Sequence, residues 1–220
     1  YDEVSAERFI EDIMGALQDP RYMRIDGRAI LAVYRAAQIP RVKEVVEHWR
    51  RRARECGVGE LFLLSVDTGL RFDGLGANYE EFGFDGTMGF PPHQVPWFPQ
   101  STRNLQLSPA FVGRNLSYPK TARSALALAR SAGKNSFPAV MVTFDNTARK
   151  KDSADVWHGA NPYTFRRWLA ETVAAIADRP LSDRVVFVNA WNEWAESAVL
   201  EPTLRWGRTY LQAVRSVVFE

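Results

Sequence analysis

The sequence predicts an α/β fold on a parallel sheet, arranged as a (β/α)-barrel, and three observations carry that expectation. Short, continuously apolar runs alternate with stretches of helical periodicity along the chain. No strand-to-helix turn holds G-x-G-x-x-G or G-x-x-x-x-G-K-[ST], the phosphate loops of the common open-sheet nucleotide folds. Polar side chains collect instead behind the carboxyl ends of the expected strands: Tyr34-Arg35, Asp67, Pro91-Pro92-His93, Asp145-Asn146, and Asn192-Glu193 with Glu196. Barrel enzymes draw their chemistry from that face.

Phe9, Ile10, Ile13, Met14 and Leu17 recur at helical spacing behind a capping candidate, Ser5, and Asp19-Pro20 ends the run, so a first helix is expected. After a turn at Asp26-Gly27, residues 29–34 are apolar without a break and predict a strand buried on both faces. Val42, Val45, Val46, Trp49 and Ala53 mark a helix closed by Gly57, and residues 61–66 a second buried strand that ends at Asp67. The rhythm continues with a strand over 84–90, a helix over 121–132, a strand over 138–144 and a polar loop. A helix opened by the cap pair Asn161-Pro162, a fifth strand over 184–190 and a helix over 207–218 complete it. Two segments depart from the rhythm. Asp67 to Phe84 is too short for a crossover helix, and the Pro-rich loop from Pro91 to Ser117 has a length that usually signals function.

With 220 residues, 46% apolar and 12% aromatic, the chain suits one domain over residues 1–220 with a single large core. A net charge of +2, from 28 basic and 26 acidic residues, offers no strong field for nucleic acid or an anionic membrane. The run Arg50, Arg51, Arg52 and Arg54 is expected to form the solvated face of its helix. The single Cys56 excludes an internal disulfide and is expected to be buried and inert. No apolar run reaches the roughly 18 residues of a membrane span, and no signal peptide opens the sequence, so a cytoplasmic location is expected. The sequence nonetheless starts at Tyr1 rather than methionine, leaving room for upstream targeting information.

The densest chemistry lies at Asn189-Ala190-Trp191-Asn192-Glu193-Trp194-Ala195-Glu196, directly after an apolar strand. In a tight turn, acids three residues apart become neighbours about 5–6 Å apart at Cβ. Two close carboxylates divide into an acid and a base, the pairing that glycoside cleavage uses. The plainer alternative is that both are solvated loop acids. Trp191 and Trp194 suit either a core or a flat apolar platform for a sugar ring.

These residues resemble the glycoside hydrolase family 99-like domain, also known as the WbsX-type domain of bacterial polysaccharide loci. The resemblance rests on Asn192-Glu193-Trp194-Ala195-Glu196 followed by Leu200-Glu201-Pro202. It extends to Asp26-Gly27-Arg28, Tyr34-Arg35, Ile39-Pro40, Phe90-Pro91-Pro92-His93, Asp145-Asn146-Thr147-Ala148-Arg149, and Tyr163 with Trp168-Leu169. In the family's endo-mannosidases the first element reads Asn-Glu-Trp-His-Glu-Gly. The resemblance therefore implies that Glu193 assists attack through the sugar's 2-hydroxyl and that Glu196 is the general acid/base, with retained stereochemistry. Ala195 and Ser197 depart from that pattern, so mannose specificity does not carry over. It also implies a partial (β/α)8 barrel of TIM type, with about five of eight parallel strands in this sequence and roughly the first third of the barrel lying upstream. Open strand edges would then let this stretch, expressed alone, self-associate.

Arg35, His93, Asp145, Asn146, Trp191, Asn192 and Trp194 are the expected substrate contacts, because each follows a strand's carboxyl end. Alternatives stay open: His93 could cap a rigid loop, Asp145 and Asn146 could start a turn, and Arg35 could pair with Asp67 or Glu193. His48 and His158 stand in no metal-ligand spacing, and neither metal nor cofactor is expected. Three functions compete: a glycoside hydrolase, a glycosyltransferase of O-antigen or capsule synthesis, and a sugar-binding module without turnover. No Asp-x-Asp element is present, which counts against a conventional metal-dependent transferase, and the paired acids count against a pure binding module.

Overall fold

A computed structural model describes residues 3–69 and 75–219. In chain order the elements are α1 (Glu3–Gln18), β1 (Arg24–Ile25), β2 (Arg28–Val33), α2 (Val42–Glu55), β3 (Leu61–Asp67), β4 (Gly86–Gly89), β5 (Arg114–Ser117) and α3 (Tyr118–Ser131). They continue with β6 (Ser136–Phe137), β7 (Ala139–Met141), α4 (Thr147–Lys150), β8 (Asp155–His158), α5 (Pro162–Ala175), β9 (Phe187–Asn189), β10 (Asn192–Glu193), β11 (Ala198–Val199) and α6 (Thr209–Val218). Backbone contacts divide the chain into two compact units, one of residues 1–89, 133–137 and 180–185, the other of 90–132, 138–179 and 186–220.

The first unit holds a sheet in the order β1-β2-β3-β4-β6, parallel throughout except for the β1/β2 hairpin. Asp26 (φ 49°) and Gly27 (φ 77°) both sit in the left-handed region, as a two-residue hairpin turn of the right twist requires. β1 pairs only with Arg28 and Ala29. Leu31 to Val33 therefore have a strand neighbour on one side only among the described residues. Helices α1 and α2 cover one face, with Ile10, Leu17, Val45, Val46 and Trp49 buried against Leu31, Leu61 and Leu63. The Trp49 indole N–H donates to Ala6 O at 2.7 Å and ties α2 to α1. On the other face Phe62 meets Phe137 edge-on at 5.6 Å, with the Arg28 guanidinium 4.3 Å from the Phe62 ring.

Arg50 corrects the expectation of a wholly solvated arginine run. Its guanidinium donates to Leu61 O, Gly83 O and Asp85 Oδ2, each at 2.8 Å. Asp85 also receives Arg28 at 2.8 Å and the Leu63 amide at 2.7 Å, so one carboxylate joins α2 to the starts of β2, β3 and β4. Cys56 is half-buried rather than fully covered, its sulfur 3.7 Å from Arg52 Nη2. The expected strand over 84–90 shortens to Gly86–Gly89 because Asp85 turns its side chain into this junction.

The second unit contains two parallel pairs, β7/β9 and β5/β8, and the antiparallel β10/β11 hairpin. The expected strands over 138–144 and 184–190 are realised only as β7 and β9. Pro138 lacks an N–H and separates β6 from β7. Strands β5 and β8 were not expected from the sequence. Each has four residues with polar side chains at its start, and they are held together by Arg114, which grips the buried Asp155 through two hydrogen bonds of 2.5 and 2.9 Å. Asn161 opens α5 as expected: its side chain accepts from Tyr163 N and Thr164 N while Thr164 Oγ1 accepts from Asn161 N, a reciprocal cap. Helix α3 starts earlier than expected because the buried Tyr118 hydroxyl donates to Met141 O at 2.6 Å.

Tyr210, 2% exposed, packs edge-on to Phe165 at 5.4 Å between α5 and α6, and no hydrogen bond engages its buried hydroxyl among the described residues. Burial pushes its phenol up to about 12. The folded state therefore holds a proton that the unfolded chain loses from about pH 10, so this contribution to stability is present below that pH and lost toward pH 12. Tyr210→Phe is expected to raise stability at neutral pH by about 1 kcal/mol, through removal of an unpaired buried hydroxyl. It should also flatten the decline between pH 10 and 12, as read by urea midpoints across that range. A midpoint that falls at neutral pH would mean the hydroxyl has a partner.

Candidate functional site

The site grows from the parallel pair β7/β9, whose register places Met141 beside Asn189 and so brings two carboxyl ends together. Val142 N donates to Asn189 O at 3.0 Å and extends the pairing one step. The Asn189 side chain donates to Pro91 O at 2.8 Å, which draws in the turn from Phe90 to His93. His93 stacks on Phe90 at 5.6 Å and presents its ring to Phe144 edge-on at 6.5 Å. Behind Asn189 the chain makes a short hairpin: Asn192 pairs with Val199 and Glu193 with Ala198 across a single 3-10 turn of Trp194–Glu196. Ala198, Val199 and Leu200 are buried and anchor the return strand. Trp191 and Trp194, 53% and 54% exposed, stand outside the core.

The two acids occupy different surroundings. Glu193 ends β10 and is exposed, as is Asn192. The Glu196 side chain is 17% exposed and forms an ion pair with the Arg149 guanidinium. Its carbonyl accepts from Asp145 N at 2.8 Å, so Asp145 lies against the turn that carries both acids. Asp145 Oδ1 accepts from the Thr147 amide at 2.9 Å and from the Thr147 hydroxyl, opening the single helical turn α4 that carries Arg149 to Glu196. Asn146, 2% exposed, turns inward, where its Oδ1 accepts from Asp155 N at 2.8 Å and holds the start of β8. The Trp194 indole N–H donates to Glu201 Oε2 at 3.0 Å, fixing one aromatic face by a third carboxylate. Two half-exposed indoles, carboxylates and a guanidinium can offer a sugar both a flat apolar face and hydrogen-bond partners of either sense.

A sequence profile of the family described as "Glycosyltransferase WbsX" matches residues 1–214. The chain belongs to the WbsX family. Two curated relatives, each "Uncharacterized protein WxcX" from a strain of Xanthomonas campestris pv. campestris, are 33% identical over 211 residues, covering 96% of this chain and 30% of the relative. The chain thus spans about a third of the length of the curated relatives it matches. Among solved structures, a "Glycoside hydrolase-like protein" superposes with a TM-score of 0.59 at 14% identity, over 97% of this chain and 60% of the other. The GH99 endo-alpha-mannosidase from Bacteriodes thetaiotaomicron, in complex with BIS-TRIS-Propane, gives 0.50 at 12% identity over 92% and 56%. At these identities the likeness is one of fold, and the WbsX chain is a mixed α/β protein of a carbohydrate-active family.

Of the residues expected to meet substrate, the second unit of the WbsX chain gathers His93, Asp145, Trp191, Asn192 and Trp194 with Glu193 and Glu196 at the carboxyl ends of β7 and β9. Asn146 lies in the same unit with its side chain turned to β8. Arg35 lies in the first unit, in a left-handed conformation (φ 51°), its guanidinium 5.3 Å from the Tyr34 ring. Arg149 and Glu201 were not expected as site residues. Arg149 had one local signal, its position four residues after Asp145, which is one helical turn. Among the described residues no group of three or more His, Cys, Asp or Glu side chains could hold a metal ion, and no helix is long and apolar enough to cross a membrane.

Proposed function

We propose that this WbsX-family chain carries the catalytic face of an enzyme that cleaves glycosidic bonds in an oligosaccharide or polysaccharide, with retention at the anomeric carbon. Glu193 assists attack at that carbon and Glu196 protonates the leaving oxygen. Trp191 and Trp194 form the sugar platform, and His93, Asp145 and Asn192 bind hydroxyls. The observation that supports this most is the hairpin behind β9, which holds Glu193 between two half-exposed tryptophans and carries Glu196 on the same turn. Retaining glycosidases need two carboxyls, one that assists attack at the anomeric carbon and one that acts first as acid and then as base at the leaving oxygen. In the same reading the parallel strands are staves of a (β/α)8 barrel whose remainder lies elsewhere in a longer protein. The extents of the structural neighbours, of which this chain covers 60% and 56%, support it.

A second reading, transfer rather than hydrolysis, is favoured by the description of the matching family as a glycosyltransferase. Product analysis separates the two. Full-length protein is incubated with bacterial surface polysaccharide, and in parallel with nucleotide sugars and an acceptor. New reducing ends from the polysaccharide are the expected result. Incorporation of sugar from a nucleotide donor, with no new reducing ends, would replace hydrolysis by transfer.

A further inference from the structure

The long segment between Pro91 and Ser117 builds a second concavity in the same unit. Gln100 N donates to Asn115 O at 2.9 Å, Val112 N to Asp152 O at 2.8 Å and Arg114 N to Ala154 O at 2.8 Å, so the segment is bound to its own β5 and to the approach to β8. Gly113 permits this closeness: a Cβ there would collide with the Ala154 carbonyl and lie 2.8 Å from Phe111 Cε2. The half-open cavity beside it measures about 390 Å³, within the roughly 300–1,000 Å³ of small-molecule sites. Phe111, Asn115, Asp145, Lys151, Asp152 and His158 line it.

Three features suit this cavity to a sugar. Asp145 and Asp152 supply acceptors, Lys151 supplies a donor and His158 and Asn115 both senses, which is what vicinal hydroxyls require. Among the described residues neither Lys151 nor Asp152 forms an ion pair, leaving both for a ligand or water. Two acids against one lysine give the wall an excess of negative charge, so a neutral ligand fits better than an anionic one. Asp145 belongs to this wall and also donates its amide to Glu196 O at 2.8 Å, so the cavity adjoins the candidate active site.

We propose that this cavity is a second subsite, taking a neutral pyranose residue of the same glycan whose linkage meets Glu193 and Glu196. The proposal rests on the glycosidase reading of that pair. Phe111 supplies the flat face and Lys151 a hydroxyl donor. The test uses full-length protein carrying Glu193→Gln to slow cleavage, bound to immobilised neutral oligosaccharides of one to six residues and to acidic counterparts. Phe111→Ala and Lys151→Met on that background are each expected to weaken the longer neutral glycans about tenfold while leaving the shortest bound glycan and the circular dichroism spectrum unchanged. Equal loss at every length, no loss at any length, retention of acidic glycans alone, or retention of none would overturn the subsite. Length-dependent loss, together with cleavage rates that Glu193→Gln and Glu196→Gln leave unchanged in protein with Phe111 and Lys151 intact, would keep the subsite and remove the catalytic pair instead.

Discussion

Replacing Glu193 or Glu196 with glutamine in the full-length protein is expected to lower turnover of its glycan by about 10²–10⁴-fold while binding survives. Glutamine keeps the size and most of the hydrogen bonding of glutamate and removes only the ionisable proton, so the loss reports chemistry rather than shape. The two variants should then separate. An activated aryl glycoside has a leaving group that needs little protonation, so it should partly rescue Glu196→Gln and leave Glu193→Gln impaired. The different surroundings of the two acids give this test a structural basis: Glu196 is mostly covered and paired with Arg149, whereas Glu193 is exposed at the end of β10. Rates within about threefold of the parent for either variant, far below that range, would remove the residue from the mechanism. An inverted product would keep the pair and overturn the division of roles.

The second large effect is one of stability. Asp85→Ala is expected to cost about 3–4 kcal/mol, read as a fall in the urea midpoint at constant slope. The carboxylate receives Arg28, Arg50 and the Leu63 amide at 2.7–2.8 Å, and its side chain is only 20% exposed. Removing it takes the carboxylate from Arg28 and one strand amide and leaves Arg50 with two carbonyls and the more distant Glu60 at 3.9 Å, and a partly buried charge that loses its partner costs more than the pair contributed. Asp85→Asn keeps an acceptor for Leu63 N and removes the charge, so it should fall between the parent and Asp85→Ala. A change below about 0.5 kcal/mol, the range of ordinary surface substitutions, would show that the two arginines find other partners.

Much of the scaffold was legible along the chain. The runs over 29–33 and 61–64 are strands because consecutive apolar residues suit a sheet covered on both faces, and all of them except the exposed Ala32 are buried. The periodic Val42, Val45, Val46, Trp49 and Ala53 could serve only one helical face, and all five are buried. Asn161-Pro162 capped its helix, since the groups that satisfy a helix start lie within three residues of it. The turn carrying Glu193 and Glu196 was legible for the same reason: apolar strand, acids, tryptophans and return strand are contiguous in sequence. These signals are local, and local spacing alone determines them.

Tertiary structure decided which charged and polar side chains serve the scaffold and which face the site. Arg50 reads like its neighbours Arg51 and Arg54, and only the placement of Asp85, 35 residues away, makes it a tie between helix and sheet. Asn146 and Asp145 are adjacent and chemically alike, yet one turns inward to the amide of Asp155 and the other lies against the Glu196 turn. Arg149 meets Glu196 across 47 residues, a contact with no trace in the spacing of either motif. Strands β5 and β8 pair across about 40 residues, with Arg114 on the otherwise buried Asp155, so short polar stretches became strands because a partner was waiting. Hydrophobic periodicity is a property of one segment, whereas a charge acquires its role from whatever the fold brings within about 3 Å of it, and no single segment contains that information.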